Sequence, residues 1–386
     1  MSAEITSSSS LIQLTPIVTR SSSSLPGLVD QTLLADTTMV ERTVKTAHSV
    51  YEHLIALWAP AIIEAAHDLS VFATLAKEPM DVVRLAQVLQ SDLRGMRVLL
   101  DALYALGFVQ RSYAGDGTQL YSISQELQSC LLPGGIFSLV GKMIYDRRLA
   151  WPAWQNFAQA VRTGSADQAG HYGQNQISDS DYEYLVNGIN FWAPPSITEL
   201  CRGLQELEWD TSKAASVLDV GCGTGLYCQL LLQKFQHWTA LGLDCERIIP
   251  LAISQSERLG VESQFSSRVC DFWQDEWGSN FDLILFANIF HLQTRESART
   301  LVTMASRALA PGGLICIVDH ILDDERNAQT SQDRFALLFA ASMLATGGGD
   351  AYSLGDYDRW FAEADLRRVC VLDTPMHRLL LATHAS

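Results

Sequence analysis

The chain has 386 residues, 48% hydrophobic and 18% charged, enough length and apolar content to bury a sizeable core in about two domains. Lys plus Arg number 27 against 43 Asp plus Glu, a formal net charge of −16, so no general electrostatic pull toward nucleic acid or anionic membranes is expected. No apolar run reaches the ~18 residues of a membrane span, and the eight scattered cysteines lack CxxC or zinc-ligand spacing and read as free thiols of a reducing, cytoplasmic compartment.

Residues 1–37 form a Ser-rich arm, with runs at Ser7–Ser10 and Ser21–Ser24, that has little to bury and is expected to be disordered. Residues 38–190 read as a mostly helical domain. Thr38 to Glu41 has the spacing of a capping box, and a helix follows to about Leu69 with a kink at Pro60. Val82, Val83, Leu85, Ala86 and Leu89 share one helical face; Leu93, Met96, Leu99, Leu100, Leu103 and Leu106 share another, which Gly107 stops. Phe108–Arg111 and Leu120–Ile123 read as short strands joined by a Gly115-Asp116-Gly117 turn.

Helix, helix, hairpin is a winged-helix layout. Its would-be recognition helix, 91–106, offers only Arg94 and Arg97, with Asp92 and Asp101 beside them, which does not suit a phosphate backbone. The apolar surplus on 38–69 and 91–106 points instead to a homodimer through this domain. An aromatic-rich helical stretch follows over 137–163.

Residues 191–386 carry the chemistry. Ser216–Val220 is a buried strand that enters Gly221-Cys222-Gly223-Thr224-Gly225, and a helix follows from Leu226. Gly221, Gly223 and Gly225 allow a sharp turn and a close approach of ligand to backbone. The next strand ends at Asp244, about 20 residues on, where a carboxylate binds a ribose diol. An acid just before the loop, Asp219, repels a pyrophosphate and suits a cationic ligand. S-adenosylmethionine, with a sulfonium, an ammonium, a ribose diol and no phosphate, fits these residues better than a dinucleotide.

Further apolar runs, Val269–Phe272, Phe281–Ala287 and Leu314–Val318, read as parallel strands covered on both faces. Runs 367–372 and 378–383 read as a closing antiparallel pair. The fold class is α/β, a Rossmann-like doubly wound sheet behind the winged-helix domain. At its carboxyl edge, Asp271 is placed to accept the adenine amino group, Phe272 to cover the ring, and Asn288 to contact the cofactor. Tyr145, Phe191, Trp192 and Met343 are candidate walls for the second substrate.

The motifs Leu218-Asp219-Val220-Gly221-Cys222-Gly223-Thr224-Gly225, Asp271-Phe272, Ile289-Phe290-His291 and Leu309-Ala310-Pro311-Gly312-Gly313 resemble the small-molecule O-methyltransferases of plant phenolic and bacterial polyketide metabolism. The resemblance spans about residues 45–386. It implies S-adenosylmethionine as cofactor, a small aromatic or secondary-metabolite acceptor, and a dimer through the winged-helix domain. In that family a histidine directly after the fourth strand removes the acceptor proton, and His291 stands there.

The chain departs from the family at Leu292-Gln293, where Asp-Trp is common, and at Asp319, where the plant enzymes have the first of two supporting glutamates. Asp350 is the acid nearest the second. The catalytic pair therefore reads His291 and Asp319. Methylation of carbon or nitrogen, a metal held by His291, Asp319 and His320, and a non-catalytic cofactor-binding protein stay open as alternatives. Against the metal, consecutive Asp319 and His320 point to opposite sides if the strand continues through them.

Overall fold

The computed structural model describes residues 37–165, 179–347 and 349–385; all of the Ser-rich arm except Thr37 lies outside the described residues. The chain divides into two compact units, residues 1–61 and 62–386.

The described part of the first unit is helix α1 (Thr37–Ile55) and the first turn of α2 (Trp58–Asp68). One kinked helix over 38–69 is thus replaced by two. Pro60 falls in the first turn of α2, where an amide has no helical partner to lose, so it starts a helix and bends none. Thr38 lies inside α1 and does not cap it. Val44, Val50, Tyr51, Leu54, Leu57 and Trp58 are all exposed.

The second unit begins with the winged-helix layout: α3 (Val71–Leu75), α4 (Val82–Val88), α5 (Leu93–Ala105), β1 (Gln110–Tyr113), β2 (Gln119–Ser122) and α6 (Gln125–Leu131). Asp81 and Asp92 accept amides of the first turns of α4 and α5. Phe72, Leu85, Met96, Leu100 and Leu103 form the core. The first wing strand starts two residues late, at Gln110, where its pairing with Ser122 begins.

Connecting helices α7 (Val140–Tyr145), α8 (Trp151–Gln155), α9 (Phe157–Thr163) and α10 (Asp179–Gly188) follow, with a π-turn at Asp146–Ala150. Two glycines let α7 and α10 touch backbone to backbone. A Cβ on Gly141 would lie 2.1 Å from the Tyr184 carbonyl, and one on Gly188 2.1 Å from the Lys142 nitrogen. That contact brings Tyr145 and Tyr182 to one cavity wall.

The seven-stranded sheet comprises β3 (Ser216–Val220), β4 (Thr239–Asp244), β5 (Phe265–Val269), β6 (Phe281–Ala287), β7 (Leu309–Asp319), β8 (Leu366–Asp373) and β9 (Arg378–His384), in the order β5-β4-β3-β6-β7-β9-β8. β9 alone is antiparallel to its neighbours. Helices α11 (Ala193–Glu206), α12 (Leu226–Lys234) and α13 (Ile249–Leu259), with α14 (Arg295–Ala308), α15 (Ser331–Thr346) and α16 (Leu354–Glu363), complete the second unit. Neighbours in a strand serve opposite cores: Val217 packs with Leu200 and Leu231, Leu218 with Ile284 and Leu301. This is why the strands are apolar at successive positions and not at alternate ones. β5 stops at Val269, so Asp271 and Phe272 lie in the following turn. β7 starts at Leu309, five residues earlier than the apolar run suggests, and carries Gly312 at φ 77°.

The order reverses between β3 and β6, and their carboxyl ends open the crevice in which doubly wound sheets bind ligands. No described helix is long and apolar enough to cross a membrane. The eight cysteines are all unpaired thiols.

Candidate active site

At the end of β3 the chain turns through Gly221, Gly223 and Gly225, at φ 71°, 57° and 72°. An L side chain at any of these is strained, and one on Gly221 would also strike Ile289 at 2.3 Å. The loop is tied to β4 by Asp244, whose Oδ2 accepts from the Gly223 amide at 2.9 Å and whose Oδ1 accepts from the Cys245 amide at 2.7 Å. A second tie runs from the Thr224 hydroxyl to Asn190 Oδ1 at 2.7 Å.

Above the loop lies a cleft of about 150 Å³. Gly221, Gly223, Asp244, Phe272 and Asn288 line it, with Tyr182 and Val186 of α10 on the other side. Among the described residues no Lys, Arg or His lines this cleft, which disfavours a pyrophosphate. Beneath the loop, both oxygens of fully buried Asp219 lack a hydrogen-bond partner. Burial, only partly opposed by the nearby Cys228, pushes this carboxyl up to about 6. A glycine loop open to close approach, an acid at the end of β4 and no basic side chain among the described lining residues fit a ligand that bears a ribose and no phosphate, as S-adenosylmethionine does.

Beside the cleft is a cavity of about 300 Å³. Its walls are aromatic and apolar: Tyr145, Trp151, Trp154 and Trp192, with Phe339 and Met343 of α15. His291 lines it, in a 3₁₀ turn just past β6. His291 Nδ1 lies 2.8 Å from Asp319 Oδ1 at the end of β7. A carboxylate only accepts, so Nδ1 carries the proton and Nε2 is the basic nitrogen.

Asp319 also receives the His320 amide at 2.7 Å on Oδ1, and the Phe290 and His291 amides at 2.9 and 3.2 Å on Oδ2. Burial alone would raise its carboxyl. The His291 ring beside it and these donors prevail and hold it well below the ordinary range, so it stays ionised.

Other expected residues are placed differently. Asp219 does not line the cleft; it faces the core under α12. Asp271 does not line it either, because its Oδ1 is turned back onto the Trp273 amide at 3.0 Å in an exposed turn. Gly225 lies behind the cleft as the residue before α12. Phe191 packs against Trp192 and stays outside the cavity.

Asp350 meets His291 only through the backbone, its amide donating to the His291 carbonyl at 3.1 Å. Gly349 permits that approach, since a Cβ there would lie 1.7 Å from the same carbonyl. His320 does not point away from His291. β7 ends at Asp319, strand alternation ends with it, and the two rings lie 5.8 Å apart.

Sequence reasoning missed Asn190, Tyr182 and the buried His377. Asn190 adjoins the selected Phe191–Trp192 pair and was reachable from it. His377, before β9, contacts Asn288 from 89 positions away, and nothing local announces it.

Two family models match the chain: an O-methyltransferase dimerisation domain over residues 51–132 and a methyltransferase domain over 217–313. The chain is 24% identical over 317 residues to 3-hydroxy-5-methyl-1-naphthoate 3-O-methyltransferase of Streptomyces sahachiroi, covering 81% of this chain and 87% of that one. It is also 24% identical to the tetracenomycin polyketide synthesis 8-O-methyl transferase of Streptomyces glaucescens, over 85% of this chain and 94% of that one. The fold matches human N-acetylserotonin methyltransferase solved with S-adenosylmethionine, with a TM-score of 0.75 at 19% identity over 88% and 98% of the two chains. With its glycine loop, its two matched domains and these relatives, the chain is an S-adenosylmethionine-dependent methyltransferase similar to the O-methyltransferases that carry an N-terminal dimerisation domain.

Proposed function

We propose that the enzyme methylates a hydroxyl on a small aromatic metabolite, with His291 as general base and Asp319 as the group that holds it. The observation carrying this reading is the 2.8 Å His291–Asp319 contact on the wall of an aromatic cavity that adjoins the cofactor cleft. The relatives named for a hydroxynaphthoate and for N-acetylserotonin act on flat aromatic acceptors, and ring-lined walls suit such a molecule.

S-adenosylmethionine supplies an electrophilic methyl group on a sulfonium. Gly221, Gly223, Asp244 and Phe272 line the cleft and would hold the cofactor: the glycines would let it approach the backbone, Asp244 would receive the ribose hydroxyls and Phe272 would cover the adenine. Trp192, Met343 and Tyr145 fix the acceptor plane and exclude water. Nε2 of His291 takes the acceptor proton as the oxygen–carbon bond forms and the methyl carbon–sulfur bond breaks, leaving S-adenosylhomocysteine, a contribution of ~10²–10⁴-fold. The imidazolium that results is stabilised by ionised Asp319.

We also assign the dimer to the N-terminal domain, where Tyr51 and Leu54 of α1, Leu57 of the turn and Trp58 of α2 are exposed. An interface of at least ~2,000 Å² is expected for a permanent dimer. Light scattering at micromolar concentration reads a dimer mass; a monomer overturns this part.

The test of function is mass spectrometry of hydroxynaphthoates and hydroxyindoles incubated with enzyme and S-adenosylmethionine. A product methylated on oxygen supports the reading. A product methylated on carbon or nitrogen, or none despite cofactor binding in a thermal-shift assay, overturns it.

A further inference from the structure

The cofactor cleft and the acceptor cavity share a partition, and among the described residues two polar side chains, Tyr182 and Asn288, stand in both walls. Asn288 lines each space. It follows β6 at φ 61°, a left-handed conformation that asparagine tolerates better than other residues with a Cβ. Both ends of its carboxamide are engaged. Nδ2 donates to the Tyr227 hydroxyl at 3.2 Å, and Oδ1 lies 2.8 Å from His377 Nε2.

His377 is itself held on all sides. Its ring stacks on His320 at 4.3 Å and meets the edge of Trp192 at 4.7 Å. Its amide donates to Thr374 Oγ1 at 2.9 Å, and its carbonyl accepts from the Thr374 amide at 2.9 Å. Burial, with the His320 charge adding to it, lowers the His377 pKa well below that of an ordinary histidine, so the ring stays neutral and Nε2–H can donate to the carboxamide. A leucine at 377 would keep apolar contact with Trp192. It would remove the donor.

We propose that His377 is a positioning residue for methyl transfer: it fixes the Asn288 carboxamide in the partition and so sets the distance and angle at which acceptor and methyl donor meet. The proposal rests on the two-cavity reading above. In-line displacement is sensitive to that alignment, and a shift on the order of 1 Å in a wall costs ~10²-fold in rate.

The experiment compares His377→Leu and His377→Gln with wild type. It uses the panel acceptor of highest turnover for kcat and KM, and calorimetry with S-adenosylhomocysteine for cofactor affinity. The leucine variant is expected to lose at least ~10-fold in kcat while cofactor affinity changes less than ~3-fold. The glutamine variant, whose amide can donate from near the position of Nε2, is expected to recover most of the rate. Leucine at wild-type kcat, or glutamine as slow as leucine, overturns the positioning role and leaves the two-cavity reading intact. A leucine variant that loses cofactor affinity in proportion to rate also overturns it, since the defect is then general. Wild type that binds S-adenosylhomocysteine and methylates no acceptor overturns the two-cavity reading and the positioning role together.

Discussion

The cofactor cleft and the acceptor cavity adjoin, but they are built on different principles. The cleft is made of backbone. One continuous turn, residues 221–224, supplies its floor, and Asp244 ties that turn to the next strand end through main-chain amides. The acceptor cavity is made of side chains from distant segments: Tyr145 of α7, Trp192, His291, and Phe339 and Met343 of α15. Backbone geometry tolerates few substitutions and serves one ligand. A side-chain wall can be rebuilt for another acceptor while the cleft stays as it is.

The largest effect that would separate the two regions is at the base. His291→Ala is expected to lower kcat by ~10²-fold or more while S-adenosylhomocysteine binding stays near normal. Asp319→Asn should cost less in rate, since its one oxygen can still accept from Nδ1–H, although the charge is lost and its NH2 end no longer accepts from the Phe290 and His291 amides. Turnover surviving in His291→Ala would mean that alignment alone drives transfer and that the base belongs to neither region.

Next in size is Asp244→Ala. It removes the ribose acceptor and leaves the Gly223 and Cys245 amides without partners, a loss of about 1.5–3 kcal/mol in cofactor binding. Calorimetry should show the change in cofactor affinity with acceptor KM little moved. An equal shift in both would erase the distinction between cleft and cavity.

The smallest effects concern stability, and here two buried groups, Asp219 under the glycine loop and His320 near His291, have opposite signs. Asp219, raised from 3.8 to about 6, keeps its proton longer folded than unfolded. It therefore destabilises the cofactor-free protein above pH 6, and the penalty fades as pH falls to 3.8. Asp219→Asn should raise the melting temperature at pH 8 by an amount worth about 1 kcal/mol, because a buried amide costs less than a buried charge.

His320, lowered by burial from 6.5 to about 4, acts the other way. Between those limits the unfolded chain binds the extra proton, so stability drops as pH falls, by up to ~1.4 kcal/mol per pH unit. His377 is lowered in the same direction. Asp219→Asn removes the opposing contribution, so its melting temperature should fall more steeply than that of wild type between pH 6 and 4. A variant less stable than wild type at pH 8 would show that the acid under the loop has a structural partner after all.

Sequence alone determined the parts whose physics is local. Strand, glycine loop, helix and next-strand acid are contiguous, and glycine at 221 and 223 is legible because only glycine accepts those backbone angles readily. The position of His291 just past β6 was likewise legible, since the end of an apolar run is the carboxyl edge of the sheet.

Tertiary structure decided what depends on where a side chain finally points. Asp271 looked like an adenine contact and is spent on its own turn; Phe191 looked like a cavity wall and its neighbour Trp192 took that place. His320 could be read only once β7 was seen to end at Asp319, because alternation holds within a strand and not beyond it. The partition between the two cavities was invisible in the chain: Asn288, Tyr227 and His377 meet only because β9 inserts beside β7 and brings residue 377 back to the end of β6.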